Sequence, residues 1–249
     1  EEFSETLRYY QAQLDKLGVN VQLNSRVTVS QLNDSNFDEV ILATGIVPRL
    51  PDIEGIDHPC IVNYVDVIKG NVEVGERVAI IGAGGIGFDT AEYLSHAGES
   101  TSQNIAAFME EWGIDMNLQS RGGIEGVEAR FAASARTIYL CQRKAEGLGK
   151  RLGKTTGWIH RLGLVKRGIK MLAACDYQRI DDDGLHLMVD NDPRLLEVDN
   201  VVICAGQLPL RELSEGLQKP FHLIGGADVA TELDAKRAIE QGTRLAAVL

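Results

Sequence analysis

Three glycines, Gly82, Gly84 and Gly87, stand in the spacing Gly-x-Gly-x-x-Gly, with Gly85 and Ile86 between them. Residues 77–81 (RVAII) lead into them as a buried strand, and an amphipathic stretch follows as far as Gly98, which reads as a helix C-cap. On that reading Gly82 makes a tight turn, Gly84 lets backbone approach a pyrophosphate, and Gly87 lets the helix pack closely. The free N–H groups and positive dipole end of the new helix favour phosphate at that point. The bare spacing also occurs in ordinary glycine-rich loops. Strand before and helix after make it a dinucleotide site.

The nucleotide's identity turns on the next strand, expected over Thr137–Cys141. In NAD sites an acidic residue at such a strand end binds the ribose 2′-OH. Here Gln142, Arg143 and Lys144 follow, with no acid before Glu146. Two cations suit a 2′-phosphate, so NADP(H) is favoured over NAD; the plain alternative is a solvated Arg-Lys pair. Lys150, Arg151 and Lys154 add positive charge nearby. Another phosphate-type pattern is Leu223–Val229, a strand running into Gly225, Gly226 and Asp228 before a helix expected over Val229–Val248. Asp228 reads as that helix's cap, a role compatible with ligand binding. His160 invites a catalytic role but equally suits an ordinary helix hydrogen bond, and no catalytic residue is assigned.

The elements around these motifs form a repeat. Asp38, Gly45 and Pro48 match Asp199, Gly206 and Pro209 at one offset, and both segments read as a buried strand running into a glycine turn. Two nucleotide-binding units follow, an α/β fold of two Rossmann-like domains with mostly parallel sheets. Residues 1–50 and 207–249 form a partial first domain. Residues 51–206 form the second, with an insertion at about 99–135. Only the second carries the glycine fingerprint, so the chain reads as a fragment whose first domain lacks its opening strand and loop. That leaves the apolar face of residues 7–17 uncovered and favours self-association.

Finer expectations are a helix over residues 1–17, strands at Val19–Leu23 and Arg26–Thr28, and a helix from Gln103 to Trp112 capped by Ser102. A helix over Thr155–Arg167, one strand over Met171–Ile180 and a hairpin into Leu185–Val189 come next.

Composition narrows the class. The 249 residues are 44% hydrophobic and 24% charged with a formal net charge of −11, which argues against nucleic acid or an anionic membrane as partner. No apolar run reaches the ~18–20 residues a bilayer needs. Cys60, Cys141, Cys175 and Cys204 are scattered with no CxxC, which points to reduced thiols in a cytoplasmic protein and to no metal site.

These segments, in this order, resemble the flavoproteins with two dinucleotide-binding domains. Residues 82–93 (GAGGIGFDTAEY), 98–105 (GESTSQNI), 152–161 (LGKTTGWIHR) and 223–237 are most similar to the C-terminal FAD/NADPH-binding half of bacterial NADPH-dependent 2,4-dienoyl-CoA reductases. The insertion is shared with that family. The resemblance implies an electron-entry half: NADPH on Gly84–Gly87, Arg143 and Lys144, with Ala205 and Gly206 at the neighbouring strand end. It implies FAD touched by Val27, Ala43, Thr44, Gly45, Gly226 and Asp228, at a site incomplete in this chain. FMN, a 4Fe–4S cluster and the acyl-CoA site would belong to a barrel domain of the parent, with Trp158 near the acyl-CoA route. Amine dehydrogenases and NADH oxidases of the same group are the alternative enzyme class. A non-catalytic nucleotide-binding module is the other alternative.

Overall fold

The computed structural model describes residues 3–96, 98, 100–150, 152–231 and 234–249. The chain divides into two compact units, one of residues 1–47 and 208–249 and one of residues 48–207.

In the unit 48–207 a five-stranded parallel sheet runs in the order Ile61–Asn63, Asn200–Ile203, Arg77–Ile81, Thr137–Cys141, Lys170–Leu172. Its central strands are buried on both faces, so they are continuously apolar rather than alternating. Val78, Ile80, Ile138, Leu140 and Val202 face one way, onto Phe88, Ala91, Leu94 and Leu164. Those partners lie on the helices Gly85–Ser95 and Gly157–Lys166. Ala79, Ile81, Cys141, Val201 and Ile203 face the other way, as the two-residue strand period requires. They pack on Ile180, Leu185, Leu187 and Leu196 from a three-stranded antiparallel sheet, Cys175–Asp181, Gly184–Val189 and Asp192–Leu196. Each of the Val, Leu, Ile and Phe side chains contributes about 1.5–3 kcal/mol on full burial.

Several elements differ from the local expectations. The helix after the fingerprint stops at Ser95, short of Gly98. Its last carbonyls are taken by tertiary donors, the Arg136 guanidinium on Leu94 O at 3.0 Å and the Ala135 N–H on Ser95 O at 2.9 Å. The single strand expected over Met171–Ile180 breaks in two. Ala174 turns with φ +52° while Ala174 N–H and Cys175 N–H bond Lys144 O and Gln142 O, which sends the chain into the second sheet. In the insertion Asn104, not Ser102, caps the helix Ile105–Glu111, accepting from Ala107 N–H at 3.1 Å. Ser102 sits inside a preceding 3-10 turn, Thr101–Gln103.

In the other unit Val40–Leu42 pairs in parallel with Phe221–Leu223, Leu42 opposite Leu223. The helix Ser4–Lys16 has no buried residue, and Leu7 is 74% exposed. No strands form at Val19–Leu23 or Arg26–Thr28. Thr28 instead caps a short helix, Val29–Asn33, through a reciprocal capping box with Gln31, and that competes with extension. The C-terminal helix is Ala235–Ala246, not Val229–Val248, because Asp234 supplies the cap, accepting from Arg237 N–H at 2.7 Å. Asp228 therefore does not cap that helix; its carboxylate accepts from Gln241 Nε2 at 2.7 Å. No helix among the described residues is long and apolar enough to cross a membrane.

Candidate functional site

The glycines divide the labour at the fingerprint loop. Gly82 has φ +113°, and a Cβ there would sit 2.3 Å from Cys204 O. A Cβ on Gly87 would sit 1.8 Å from Gly82 O, so the helix closes on the loop's own first carbonyl rather than on a strand side chain. Both positions are closed to any side chain. Gly84 and Gly85 meet nothing within 4 Å. Gly84 is the helix N-cap and offers no side-chain cap, which leaves the first-turn N–H groups open beside bare backbone. That is a cradle a side chain would fill, and it fits a diphosphate.

Parallel pairing brings two further strand ends to this loop. Gly82 N–H donates to Cys141 O at 2.9 Å, and its Cα abuts the Cys204–Ala205 peptide. Gly206 turns with φ +107° beside the Arg49 side chain, which bonds Ala205 O. Beyond Cys141, Gln142 Nε2 donates to Lys144 O at 3.0 Å and also to Glu146 O, holding the loop in a compact turn. Arg143 and Lys144 are exposed, and neither is ion-paired among the described residues. Two such cations at the end of the neighbouring strand fit a 2′-phosphate. Lys150 and Lys154 are exposed as well, whereas Arg151 lies outside the described residues.

In the unit 1–47/208–249 the parallel pair places Ala43–Gly45 and Ile224–Asp228 on one sheet edge, Ile224 N–H bonding Leu42 O at 3.2 Å. Thr44 Oγ1 donates to Leu210 O at 2.5 Å, and Gly45 turns with φ +80° into open space. Gly226 is buried in a 3-10 turn, and Arg211 Nε bonds Ala227 O at 2.6 Å. Val27 precedes the Thr28 cap, and no hydrogen bond among the described residues ties it to that edge.

Trp158 is 62% exposed and its indole N–H donates to Thr155 O at 3.0 Å. On the neighbouring helix stands Glu92, and His160 Nε2 lies 2.6 Å from its carboxylate, off the axis of a well-aligned hydrogen bond. Glu92 raises the His160 pKa above the ordinary imidazole value, against the opposing effect of burial, and His160 in turn lowers that of Glu92. The sign of the pH effect follows. The histidine's contribution is complete below its unfolded pKa and is lost as pH rises through its raised folded value; the carboxylate's is lost as pH falls through its lowered one. Melting temperatures of the protein and of His160→Gln should therefore differ most between about pH 4.5 and 6.5 and converge as pH rises past the histidine's raised folded value. A gap constant across pH 5 to 9 would show that the pair does not titrate.

The fold also assembles groups that are distant in sequence. Cys141 and Cys175 are both buried and adjacent, so that Cys175 and burial together hold the Cys141 thiol well above its usual range. Burial pushes Cys204 up to about 12. All four cysteines are free thiols. Asp181, Asp183 and His186 gather at one hairpin, where Asp181 already serves His186 at 2.9 Å and Arg179 at 2.8 Å.

Comparison with known proteins identifies this architecture. Residues 2–235 match the pyridine nucleotide-disulphide oxidoreductase family, and the chain belongs to it. It is an NAD(P)-binding module of the flavoprotein oxidoreductase type. A metal reductase of Desulforamulus reducens is 24% identical over 209 residues, 81% of this chain and 30% of the relative. A cinnamate reductase of Clostridium sporogenes is 36% identical over 96 residues, 39% of this chain and 14% of that enzyme. Among solved structures, 2-naphthoyl-CoA reductase in complex with 2-naphthoyl-CoA superposes with a TM-score of 0.76 at 25% identity, covering 97% of this chain and 31% of that one. The chain thus spans less than a third of the length of each of these proteins.

Proposed function

We propose that this member of the pyridine nucleotide-disulphide oxidoreductase family is the electron-entry part of a flavoprotein reductase, taking NADPH and serving reduction of an unsaturated acyl-CoA of the 2,4-dienoyl type. The observation that carries the nucleotide reading is the bare Gly84–Gly85 backbone at a helix start, one strand away from the exposed Arg143 and Lys144. Residues of the first turn bind the diphosphate through N–H groups, and Arg143 with Lys144 hold the 2′-phosphate. In the other unit Ala43, Thr44, Gly45, Gly226 and Asp228 are proposed to line the FAD, with Val27 an outlying candidate. When bound, nicotinamide and flavin supply the hydride chemistry, which needs no acid or base from this chain. The acyl-CoA reading is supported by the likeness to 2-naphthoyl-CoA reductase, a protein seen in complex with an acyl-CoA. FMN, a 4Fe–4S cluster and the thioester site are proposed for a further domain, and Trp158 for the approach to it. We place the protein in the cytoplasm on its four free thiols.

The test is a comparison of NADPH with NADH. Replacing both Arg143 and Lys144 by alanine should weaken NADPH by about 1.5–3 kcal/mol for each charge-assisted hydrogen bond removed and leave NADH unchanged. Calorimetric titration showing equal affinities for the two nucleotides in the unaltered protein would overturn the preference.

A further inference from the structure

A cavity of about 450 Å³ lies between the inserted segment and the helix Gly157–Lys166. Its size is that of a small-molecule pocket, roughly 300–1,000 Å³. The insertion supplies an aromatic lining of Phe108, Trp112 and Phe131, with Trp112 meeting Phe131 edge-on at 4.8 Å. Ile159 and Leu164 add aliphatic surface from the helix. This is not the phosphate cradle. The fingerprint helix contributes Glu92 to the cavity, about 10 Å along the axis from Gly85 at ~1.5 Å per residue, and His96 follows just past its end.

Among the described residues, each carboxylate lining the cavity faces a basic group. Arg167 and Glu111 are both buried and ion-paired, and Thr101 Oγ1 donates to the same carboxylate group at 2.7 Å. His160 is paired with Glu92. A cationic ligand would meet Arg167, whose guanidinium already lies 6.0 Å from the Phe131 ring centre. An anionic one would meet Glu92 and Glu111. A neutral, flat, mostly apolar molecule avoids both penalties. Among the described residues one lining carboxylate stays open to a further donor. Glu92 is 49% exposed, and its Oε1 is 3.8 Å from His96 Nε2, too far for a hydrogen bond.

We infer that this cavity is a second small-molecule site, taking a neutral aromatic molecule with one hydroxyl or N–H that donates to Glu92. The inserted segment, which the nucleotide-binding role leaves without a task, is what builds it.

Gly163 provides a clean test. It lines the cavity inside a regular helix, and a Cβ there meets nothing within 4 Å. Gly163→Leu therefore fills space without backbone strain and improves helix propensity. The probe is 4-phenylphenol, titrated into the full chain by calorimetry with and without saturating NADPH, and compared with 4-methoxybiphenyl, which has no donor. The expected result is one equivalent bound, at least about tenfold weaker in Gly163→Leu with no fall in melting temperature. The methyl ether should bind about tenfold more weakly than the phenol, as loss of a charged hydrogen bond requires. No binding up to 1 mM (roughly the weakest useful affinity), equal binding by Gly163→Leu, equal binding of the two probes, or displacement by NADPH would each overturn the inference. The probe titration is read without nucleotide, so failure of the NADPH reading leaves its outcome intact.

Discussion

Gly84→Val should lose at least about 100-fold in NADPH affinity, or about 2.8 kcal/mol, while the protein stays folded. The two halves of that expectation come from different features of one residue. Gly84 has φ −83° and ψ −172°, extended backbone that valine adopts readily, and nothing lies within 4 Å of its Cβ position. The substitution therefore strains nothing in the folded protein, and the loss of a glycine N-cap costs about 1 kcal/mol at most. The same open space is where the proposed diphosphate approaches the first-turn N–H groups, and each charge-assisted bond there contributes about 1.5–3 kcal/mol. Two isopropyl methyls hold the phosphate away from several such groups at once. Gly87→Val is the contrasting control. Its Cβ would overlap Gly82 O, so it should fail by unfolding the unit, not by losing nucleotide alone. Nucleotide titration together with thermal unfolding separates the two variants. Normal NADPH binding by Gly84→Val would show that the loop does not hold phosphate.

The second large effect concerns the insertion. Glu111→Ala should destabilise the unit 48–207 by about 3–5 kcal/mol, the usual consequence of leaving a buried charge unpaired. Arg167 and Glu111 are both nearly inaccessible, and Glu111 also receives the Thr101 hydroxyl at 2.7 Å. Removing the carboxylate leaves a buried guanidinium without its partner and unties the insertion from the helix Gly157–Lys166. Replacing both members with apolar residues, Glu111→Leu with Arg167→Met, should recover most of the loss, because no uncompensated charge remains. Urea unfolding of the three proteins compares the two losses directly. A single variant within about 1 kcal/mol of the unaltered protein would show that Arg167 finds water instead.

The elements that were legible in the sequence are those whose causes are local. Residues 78–81 are uninterrupted apolar strand formers and run into glycines that favour a turn, so strand, loop and helix start could be read together. Thr137–Cys141 and the strand running into Gly206, which forms at Asn200–Ile203, were readable from their apolar runs, and with them the parallel α/β class. Where an element departs from expectation, a partner distant in sequence or a competing cap decides the outcome. Val19–Leu23 has strand-forming residues but, among the described residues, no strand beside it to pair with. The helix after the fingerprint ends at Ser95, where Ala135 and Arg136, some forty residues on, take its last carbonyls. Asp234 outcompetes Asp228 as a helix cap, and nothing in the local pattern ranks one aspartate above the other.

By itself, then, the sequence determined the glycine loop, the cations at the next strand end and the continuous apolar strands, because turn geometry and strand periodicity are properties of neighbouring residues. Tertiary structure alone decided that the scattered Cys141 and Cys175 adjoin and that Glu111 meets Arg167. It also decided that the insertion encloses a cavity beside His160 and Glu92. Those juxtapositions depend on which strands lie side by side and how helices cross. Such choices are made by the burial of many side chains together, and no short stretch of sequence records them.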